Sequence, residues 1–252
     1  MSPRERRKRI IQMLEQNGKV EIIQLSEALA VTPMTIRRDF DVLEKQKKLI
    51  RTHGAAIAPQ GLIVEQTFEL KAGKAVLEKK AIAREAISFV RDGMTVLLDS
   101  GTTTLHIAKL LKVRDKVTVI TNDIKIAAEL MDSELEIILL GGRLQNGVGS
   151  LYGSLTTETL RSLHVDLFFL GTPALHSSLG ITATTIEKAA LKKDMCNTAE
   201  QIILVADSSK FHQKSFSKVC DLEDVTTIIT DDNLPDDVKK SYEEYVDILL
   251  AK

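Results

Sequence analysis

The 252-residue chain has 44% hydrophobic and 27% charged residues and a net charge of −1, the composition of an ordinary soluble globular protein. No run reaches the roughly 20 apolar residues of a membrane span and no apolar core follows the basic N-terminus as in a signal peptide, so we expect a cytoplasmic protein without a membrane partner. Two cysteines and no tryptophan argue against a disulfide framework, a structural zinc site and a carbohydrate-stacking surface, and we expect neither metal nor cofactor.

The charge is distributed unevenly along the chain. Residues 1–57 hold 12 Lys or Arg and 7 Asp or Glu, a net charge of +5, whereas the remaining residues carry a net charge of −6. A basic head on an acidic body indicates that the head meets a polyanion and the body does not.

Three short helices are predicted in this basic head. Apolar residues recur at helical spacing over residues 3–16 and again from residue 22 to residue 29. Thr32-Pro33 then predicts the start of a third helix, because a hydroxyl N-cap precedes a proline at the first helical position. The predicted apolar faces of the first two helices are Ile10, Ile11 and Leu14, followed by Ile22, Leu25, Ala28 and Leu29.

The third helix favours DNA binding over a merely solvated surface. Ile36, Phe40 and Leu43 form a stripe that must face the other helices, and Arg and Lys side chains lie opposite. Asp39 lies nearer the buried side, so we expect it to hold an Arg or a helix end in place. Residues 47–57 predict two strands around a turn, a wing that reaches phosphates or the minor groove. The predicted DNA contacts are Thr32, Met34, Thr35, Arg37, Arg38, Lys45, Lys48, Arg51 and His53.

The rest of the chain predicts an α/β domain. Residues 58–73 show no clear hydrophobic periodicity, and we interpret them as a linker. This leaves a DNA-binding domain at 1–57 and a second, larger domain at 74–252. That domain alternates short Val/Ile/Leu strands with helices, a pattern typical of a mainly parallel sheet covered on both faces. Strands are predicted at 94–98, 117–120, 135–140, 165–170, 202–206, 226–230 and 245–250, and helices at 74–91, 103–111, 123–131, 155–162 and 184–199.

The loops that follow these strands are the candidate ligand site, because ligands of such sheets bind beyond the carboxyl ends of the strands. The loop from Asp99 to Thr104 offers hydroxyls and backbone N–H groups at a helix N-terminus, which favours a phosphate or carboxylate. Four further strand ends are rich in Gly, Ser, Thr, Asn and charge, although each residue alone fits an ordinary turn equally well.

The head resembles the N-terminal signature of the DeoR family of bacterial transcriptional repressors. Arg6, Ile10 and Leu14 stand at that family's distance from the Thr35-Ile36-Arg37-Arg38-Asp39 core, and residues 51–56 look like its wing, with Ala55 where a second glycine is usual. The DSGTTT loop, the TND turn, LLGGR, GITATTIEKAALKKDM, VADSSKF and TTIITD resemble the family's effector domain.

That resemblance implies a body similar in fold to ribose-5-phosphate isomerases that senses a phosphorylated sugar or related metabolite. By position it puts a phosphate on Ser100, Gly101, Thr102, Thr103 and Thr104. It adds Asp99, Asn122, Gly141, Gly142, Lys192, Asp207 and Lys210 as contacts to the rest of the ligand. Of Lys192 and Lys193, one is expected to face the crevice and the other water.

We therefore expect a repressor of carbohydrate-metabolism genes that binds double-stranded operator DNA as a homo-oligomer, dimer or tetramer, and responds to a phosphorylated metabolite. No catalytic residue is predicted. Isomerases of that fold carry an acidic cluster after the strand equivalent to 165–170, whereas residues 171–175 hold no carboxylate. The alternative is a sugar-phosphate isomerase with an appended DNA-binding head. A methyltransferase-like body is a weaker alternative, since it needs a glycine in place of Thr103.

Overall fold

The computed structural model describes residues 1–17, 19–46, 48–52, 54–57 and 65–252, and the chain divides into two compact units, 1–64 and 65–252. Within the described residues, no helix is long and apolar enough to cross a membrane.

The first unit is a winged helix-turn-helix, as the sequence predicts. Its elements are α1 (Pro3–Asn17), β1 (Lys19–Glu21), α2 (Ile22–Ala28), α3 (Pro33–Lys45), β2 (Ile50–Thr52) and β3 (Ala55–Ile57). The two wing strands pair antiparallel, and β1 joins them in the order β1-β3-β2. β1 is not predicted from the sequence, because three residues are too few to show the alternation of apolar and polar residues that marks a strand.

The core of the first unit consists of the predicted apolar faces. Ile10, Leu14, Leu25, Ile36 and Phe40 are fully buried. The Thr32 hydroxyl accepts from the backbone N–H of Thr35 at 3.3 Å, so the predicted N-cap starts α3. Ala28, predicted on the buried face of α2, is exposed because it is the last residue of that short helix, and Leu29 after it fills the core.

The second unit contains a seven-stranded, wholly parallel sheet with helices on both faces. In chain order its elements are α4 (Phe68–Ala72), α5 (Val76–Ala86), β4 (Thr95–Leu98), α6 (Thr102–Leu111), β5 (Thr118–Thr121), α7 (Ile124–Leu130), β6 (Glu136–Leu139), β7 (Arg143–Leu144), β8 (Leu151–Tyr152), α8 (Ser154–Arg161), β9 (Val165–Gly171), β10 (Ala174–His176), β11 (Gly180–Ala183), α9 (Ile186–Thr198), β12 (Ala199–Val205), β13 (Ser217–Cys220), β14 (Thr227–Asp231), α10 (Asp236–Glu243) and β15 (Asp247–Ala251).

Side chains from successive strand positions enter two separate cores. Leu97 and Phe168 belong to the core that α8, α9 and α10 cover, whereas Leu98 and Phe169 belong to the core that α5, α6 and α7 cover. Burial on both faces explains why the strands read as continuous apolar runs. Two small antiparallel pieces, β7-β8 and β10-β11-β13, lie outside the main sheet. They were not predicted, because strands such as ALH, GITA and SKVC lack the continuous Val/Ile/Leu run that marks the main-sheet strands.

The strand order locates a switch point in the parallel sheet. The order is β15-β14-β12-β9-β4-β5-β6, so the chain proceeds from β4 outward to β6 and then returns to β9 on the other side of β4. A crevice opens beyond the carboxyl ends of strands where the chain reverses in this way, and ligands of α/β sheets bind there. The position between β4 and β9 is therefore the place to look for a site.

The predicted linker, 58–73, extends too far along the chain. Residues 58–64 lie outside the described part, but residues 65–73 belong to the second unit and include α4. Glu65 is held there by ion pairs to Lys71 and Lys188. The ion pair to Lys188 joins residues more than 100 positions apart, and such long-range contacts leave no local periodicity for a sequence search to find in this segment.

Candidate functional site

The first half of α3 presents the predicted DNA-reading surface. Met34, Arg37 and Arg38 are exposed and Thr35 is half-buried. Met34 and Arg38 lie opposite the buried Ile36, and Thr35 and Arg37 lie on the flanks. A helix anchored by one apolar face, with Arg and Thr near its N-terminus on the other, fits the major groove. These positions agree with the predicted orientation, and the DNA contacts themselves remain predictions.

A buried ion pair fixes α3 against α1. The guanidinium Nε of Arg6 donates to Asp39 Oδ2 at 2.5 Å, and Arg7 Nε lies 3.8 Å from Asp39 Oδ1. Asp39 is only 4% exposed, so its carboxylate is not available to a base edge. The expectation that Asp39 holds an Arg in place is confirmed.

The wing is joined to α3 at the exposed surface. The Arg51 guanidinium pairs with Asp41, and the backbone N–H of Arg51 donates to Glu44 Oε1 at 3.2 Å. Arg51 must therefore leave or share Asp41 to meet a phosphate. Lys45 and Lys48 are exposed, as a phosphate contact requires, and His53 lies outside the described residues.

A lysine and a carboxylate join the two central strands at the switch point. Asp99 follows β4 and accepts from the backbone N–H of Gly171, the last residue of β9, at 3.0 Å. Lys192 of α9 reaches the same place, where its ammonium contacts the Asp99 carboxylate and donates to the Gly171 carbonyl at 2.9 Å. Of the two adjacent lysines, Lys192 is buried and Lys193 is exposed. The structure thus brings Asp99 and Lys192 together at the crevice.

The predicted phosphate loop leads into α6. Gly101 is its N-cap, and the Ser100 hydroxyl donates to Asp123 Oδ2 at 2.6 Å. Thr104 is fully buried and its hydroxyl donates to the Asp99 carbonyl at 2.6 Å, so that hydroxyl shapes the turn and does not face a ligand. Thr102 is nearly buried and Thr103 is half-buried. First-turn N–H groups have no acceptor within their own helix, which leaves them for an anion.

The next strand end supplies a buried amide. Asn122 donates through Nδ2 to the Ser150 hydroxyl at 3.0 Å and to the Leu151 carbonyl at 3.1 Å. Because a carbonyl only accepts, this contact fixes the orientation of the amide. Asn122 Oδ1 is buried and has no partner among the described residues, so it can accept a hydrogen bond from a ligand hydroxyl.

The two predicted glycines after β6 play different roles. A side chain at Gly141 would meet open space, as a ligand contact requires. Gly142 has φ +140°, and a Cβ there would lie 2.4 Å from the Thr156 hydroxyl and 2.6 Å from the Tyr152 carbonyl. Gly142 therefore permits close packing of the chain onto β8 and α8.

The end of β12 adds further charged groups at the same edge of the sheet. Asp207 is 3% exposed and accepts from the backbone N–H of Ser209 at 3.2 Å, and the Lys210 ammonium lies 3.7 Å from its carboxylate. Asp207 also acts electrostatically on Lys79 of α5, a buried lysine. Lys79 donates to the backbone carbonyls of Lys71 and Lys74, the latter at 2.6 Å.

Two ionisable groups that are not among the predicted contacts, Lys79 and Asp123, have shifted pKa values. Burial lowers the pKa of Lys79 to about 8, against the opposing effect of Asp207. Burial also raises the pKa of Asp123, although the Ser100 hydroxyl favours its ionised form. A signal for Lys79 exists in the sequence, since it stands three residues before Ile82 on the apolar face of its helix.

A cavity of about 590 Å³ lies elsewhere, between α9 and β13, and Lys193, Cys196, Lys218 and Cys220 are among its lining residues. None of the predicted effector residues lines it. The cavity therefore does not change the choice of the switch-point crevice, which rests on strand order and converging polar groups.

Models of known protein families match both units of the chain. The family model of the DeoR-like helix-turn-helix domain matches residues 6–61, and that of the DeoR C terminal sensor domain matches residues 74–232. Among solved structures, ribose 5-phosphate isomerase A from Methanocaldococcus jannaschii is 19% identical, with a TM-score of 0.40 over 53% of each chain, a likeness too distant to bear on function.

Curated relatives match along nearly the whole chain. The putative aga operon transcriptional repressor of Escherichia coli O157:H7 is 36% identical over 92% of this chain and 88% of its own length. The HTH-type transcriptional repressor GlcR of Bacillus subtilis (strain 168) is 38% identical over 92% of this chain and 89% of its own. The uncharacterized regulator YulB of the same organism is 37% identical over 95% and 93%. The chain belongs to the DeoR family and is a DNA-binding transcriptional regulator.

Proposed function

We propose that this regulator represses carbohydrate-metabolism genes and that a phosphorylated sugar, bound in the crevice between β4 and β9, controls its binding to operator DNA. Two of the relatives are named as transcriptional repressors, which supports repression by this chain. The observation that carries the proposal is the juxtaposition of the start of α6, whose free first-turn N–H groups suit an anion, with the Asp99–Lys192 pair at a switch point.

The groups around the crevice suit the two parts of such a ligand. The N–H groups at the start of α6 and its dipole favour the phosphate. Asn122 Oδ1, the open side of Gly141 and the Asp207 carboxylate provide acceptors and space for sugar hydroxyls. A ligand with both a phosphate and hydroxyl groups therefore fits better than either phosphate or sugar alone.

Thermal unfolding tests this specificity. Wild type and Thr103→Glu are heated with glucose 6-phosphate, fructose 1-phosphate, fructose 6-phosphate, glycerol 3-phosphate or inorganic phosphate, and with the unphosphorylated sugars. A sugar phosphate at about 100 times its dissociation constant stabilises wild type by about 2.7 kcal/mol. We expect that stabilisation to vanish in Thr103→Glu, whose carboxylate repels the phosphate. Equal stabilisation by an unphosphorylated sugar would contradict the proposal.

Binding without turnover is the second part of the proposal. The Asp99 carboxylate, which follows β4 at the switch point, is engaged by Lys192 and by the backbone of Gly171, so it is a poor proton acceptor for a sugar carbon. Incubation with each sugar phosphate in ²H₂O, followed by NMR, tests this part. Deuterium incorporation at a sugar carbon would favour the isomerase alternative.

A further inference from the structure

The first residues of the second unit form a strap, residues 65–74, across loops at the carboxyl ends of the strands. The Phe68 N–H donates to the Gly147 carbonyl at 2.9 Å, and the ammonium of Lys125 lies 4.4 Å from the centre of the Phe68 ring. At the C-terminal end of the strap, the Lys79 ammonium donates hydrogen bonds to the backbone carbonyls of Lys71 and Lys74. This segment is also where the chain leaves the second unit toward the DNA-binding unit.

The anchor of the strap on α9 is a charged one. Glu65 lies 3.1 Å from the Lys188 ammonium and 2.8 Å from that of Lys71, and it accepts a hydrogen bond from the Thr184 hydroxyl. The side chains of Glu65 and Lys188 are each 17% exposed, so water screens this pair only weakly. Glu65 is therefore fixed to the N-terminal end of α9.

The same helix reaches the effector crevice one turn later. Lys188 and Lys192 are four residues apart, so they share one face of α9. Lys192 binds the Asp99 carboxylate beside the phosphate loop, whereas Lys188 binds the Glu65 carboxylate in the strap. A ligand phosphate next to Asp99 attracts the Lys192 ammonium, and any resulting shift of α9 moves Lys188 against Glu65.

We propose that the Glu65–Lys188 ion pair is the contact through which an occupied crevice acts on the strap, and through the strap on operator binding. This inference rests on the proposed function, because it requires an anionic effector in the crevice. Glu65 and Lys188 are positioning residues under this proposal, and neither contacts the effector. Their loss should therefore uncouple the response and leave the affinity for the effector close to that of wild type.

Two readouts test the coupling, with the sugar phosphate from the panel above that gives the largest thermal shift. The first is amide hydrogen exchange of the peptide covering residues 65–74, with and without that sugar phosphate. The second is the ratio of operator dissociation constants with and without it, measured on a duplex selected in vitro from a random DNA library. Coupled sites typically give ratios of about 5- to 150-fold.

We expect wild type to show a change in strap exchange and a ratio well above 1. In Glu65→Gln and in Lys188→Gln the exchange should no longer respond and the ratio should fall at least several-fold toward 1. The double variant should fall no further, since both changes break the same pair. Glu187→Gln and Lys193→Gln, exposed positions on the same helix, are the matched controls and should behave as wild type.

The possible failures are distinguishable. If none of the five phosphate compounds binds wild type, the proposed function is wrong, and the inference that rests on it is wrong as well. If a sugar phosphate binds and releases operator but strap exchange is unchanged, or Glu65→Gln responds as wild type does, the inference alone is overturned. A second variant, Thr184→Val, replaces Glu65→Gln if that variant is too unstable to assay. It removes one hydrogen bond to Glu65 and keeps the charges of the ion pair, so it should reduce the ratio of operator dissociation constants by a smaller factor. An unchanged ratio in Thr184→Val would equally overturn the inference.

Discussion

The pair formed by Asp99 and Lys192 combines a structural role with a place in the crevice. Both residues are nearly buried, at 2% and 9% exposure. Lys192→Met leaves the Asp99 carboxylate buried without its cation, and we expect a loss of about 3–5 kcal/mol in the free energy of unfolding. Urea denaturation measures that loss. The double variant with Asp99→Asn should recover part of it, and equal losses in single and double variants would show that the charge is not the cause.

Two neighbouring residues of α3 should separate DNA binding from stability. Arg38→Ala removes an exposed side chain, so we expect little change in unfolding but a loss of about 1–3 kcal/mol in operator affinity per half-site. Asp39→Ala leaves Arg6 without its buried partner and should destabilise the first unit by several kcal/mol. Urea denaturation and operator titration of both variants give the comparison. Arg38→Ala with wild-type affinity would mean that another face of α3 meets DNA.

Among the elements, the strap gives the clearest dependence on pH. Burial alone would raise the pKa of Glu65, but the charges and hydrogen bonds of Lys71, Lys188 and Thr184 lower it to about 2. A carboxylate with a lowered pKa contributes stability above its ordinary value of 4.5 and loses it as the pH falls toward 2. The stability difference between wild type and Glu65→Gln should thus be on the order of 3 kcal/mol near pH 7 and shrink below pH 4.5. A difference independent of pH, measured by denaturation from pH 3 to pH 7, would contradict this assignment.

The strands of the main sheet were predictable from sequence, whereas the small antiparallel strands of the second unit and the helices α4 and α10 were not. All seven strands of the main sheet were predicted because Val, Ile and Leu fill them continuously. Sequence alone left the order of the strands open, since each crossover is compatible with several neighbours, and so it did not place Asp99 beside Gly171. Glu65 was not predicted for a similar reason, because two of its three partners, Lys188 and Thr184, stand more than 100 positions away. The local hydrophobic pattern of the sequence therefore predicts the fold class, whereas the candidate site depends on contacts between residues far apart in the sequence.

At the scale of the whole molecule, we predict a homo-oligomer. A single helix-turn-helix contacts a short stretch of DNA, whereas two heads read half-sites one helical turn or a multiple of it apart. Analytical ultracentrifugation at micromolar concentration should show a dimer or tetramer. A monomer that still binds operator at nanomolar concentration would contradict this expectation.

The most direct test of sensing in the crevice is an operator titration with and without the stabilising sugar phosphate, on wild type and on Thr103→Glu. The substituted residue stands at the half-buried start of α6, in the second unit, so the DNA-binding unit keeps its own core. We predict that both proteins bind operator equally well without the sugar phosphate. The sugar phosphate should change the operator affinity of wild type only, because each hydrogen bond to the phosphate that Thr103→Glu loses costs about 1.5–3 kcal/mol of effector binding. Release of Thr103→Glu from DNA at the same sugar phosphate concentration as wild type would show that the loop from Ser100 to Thr104 is an ordinary turn and that the effector binds elsewhere.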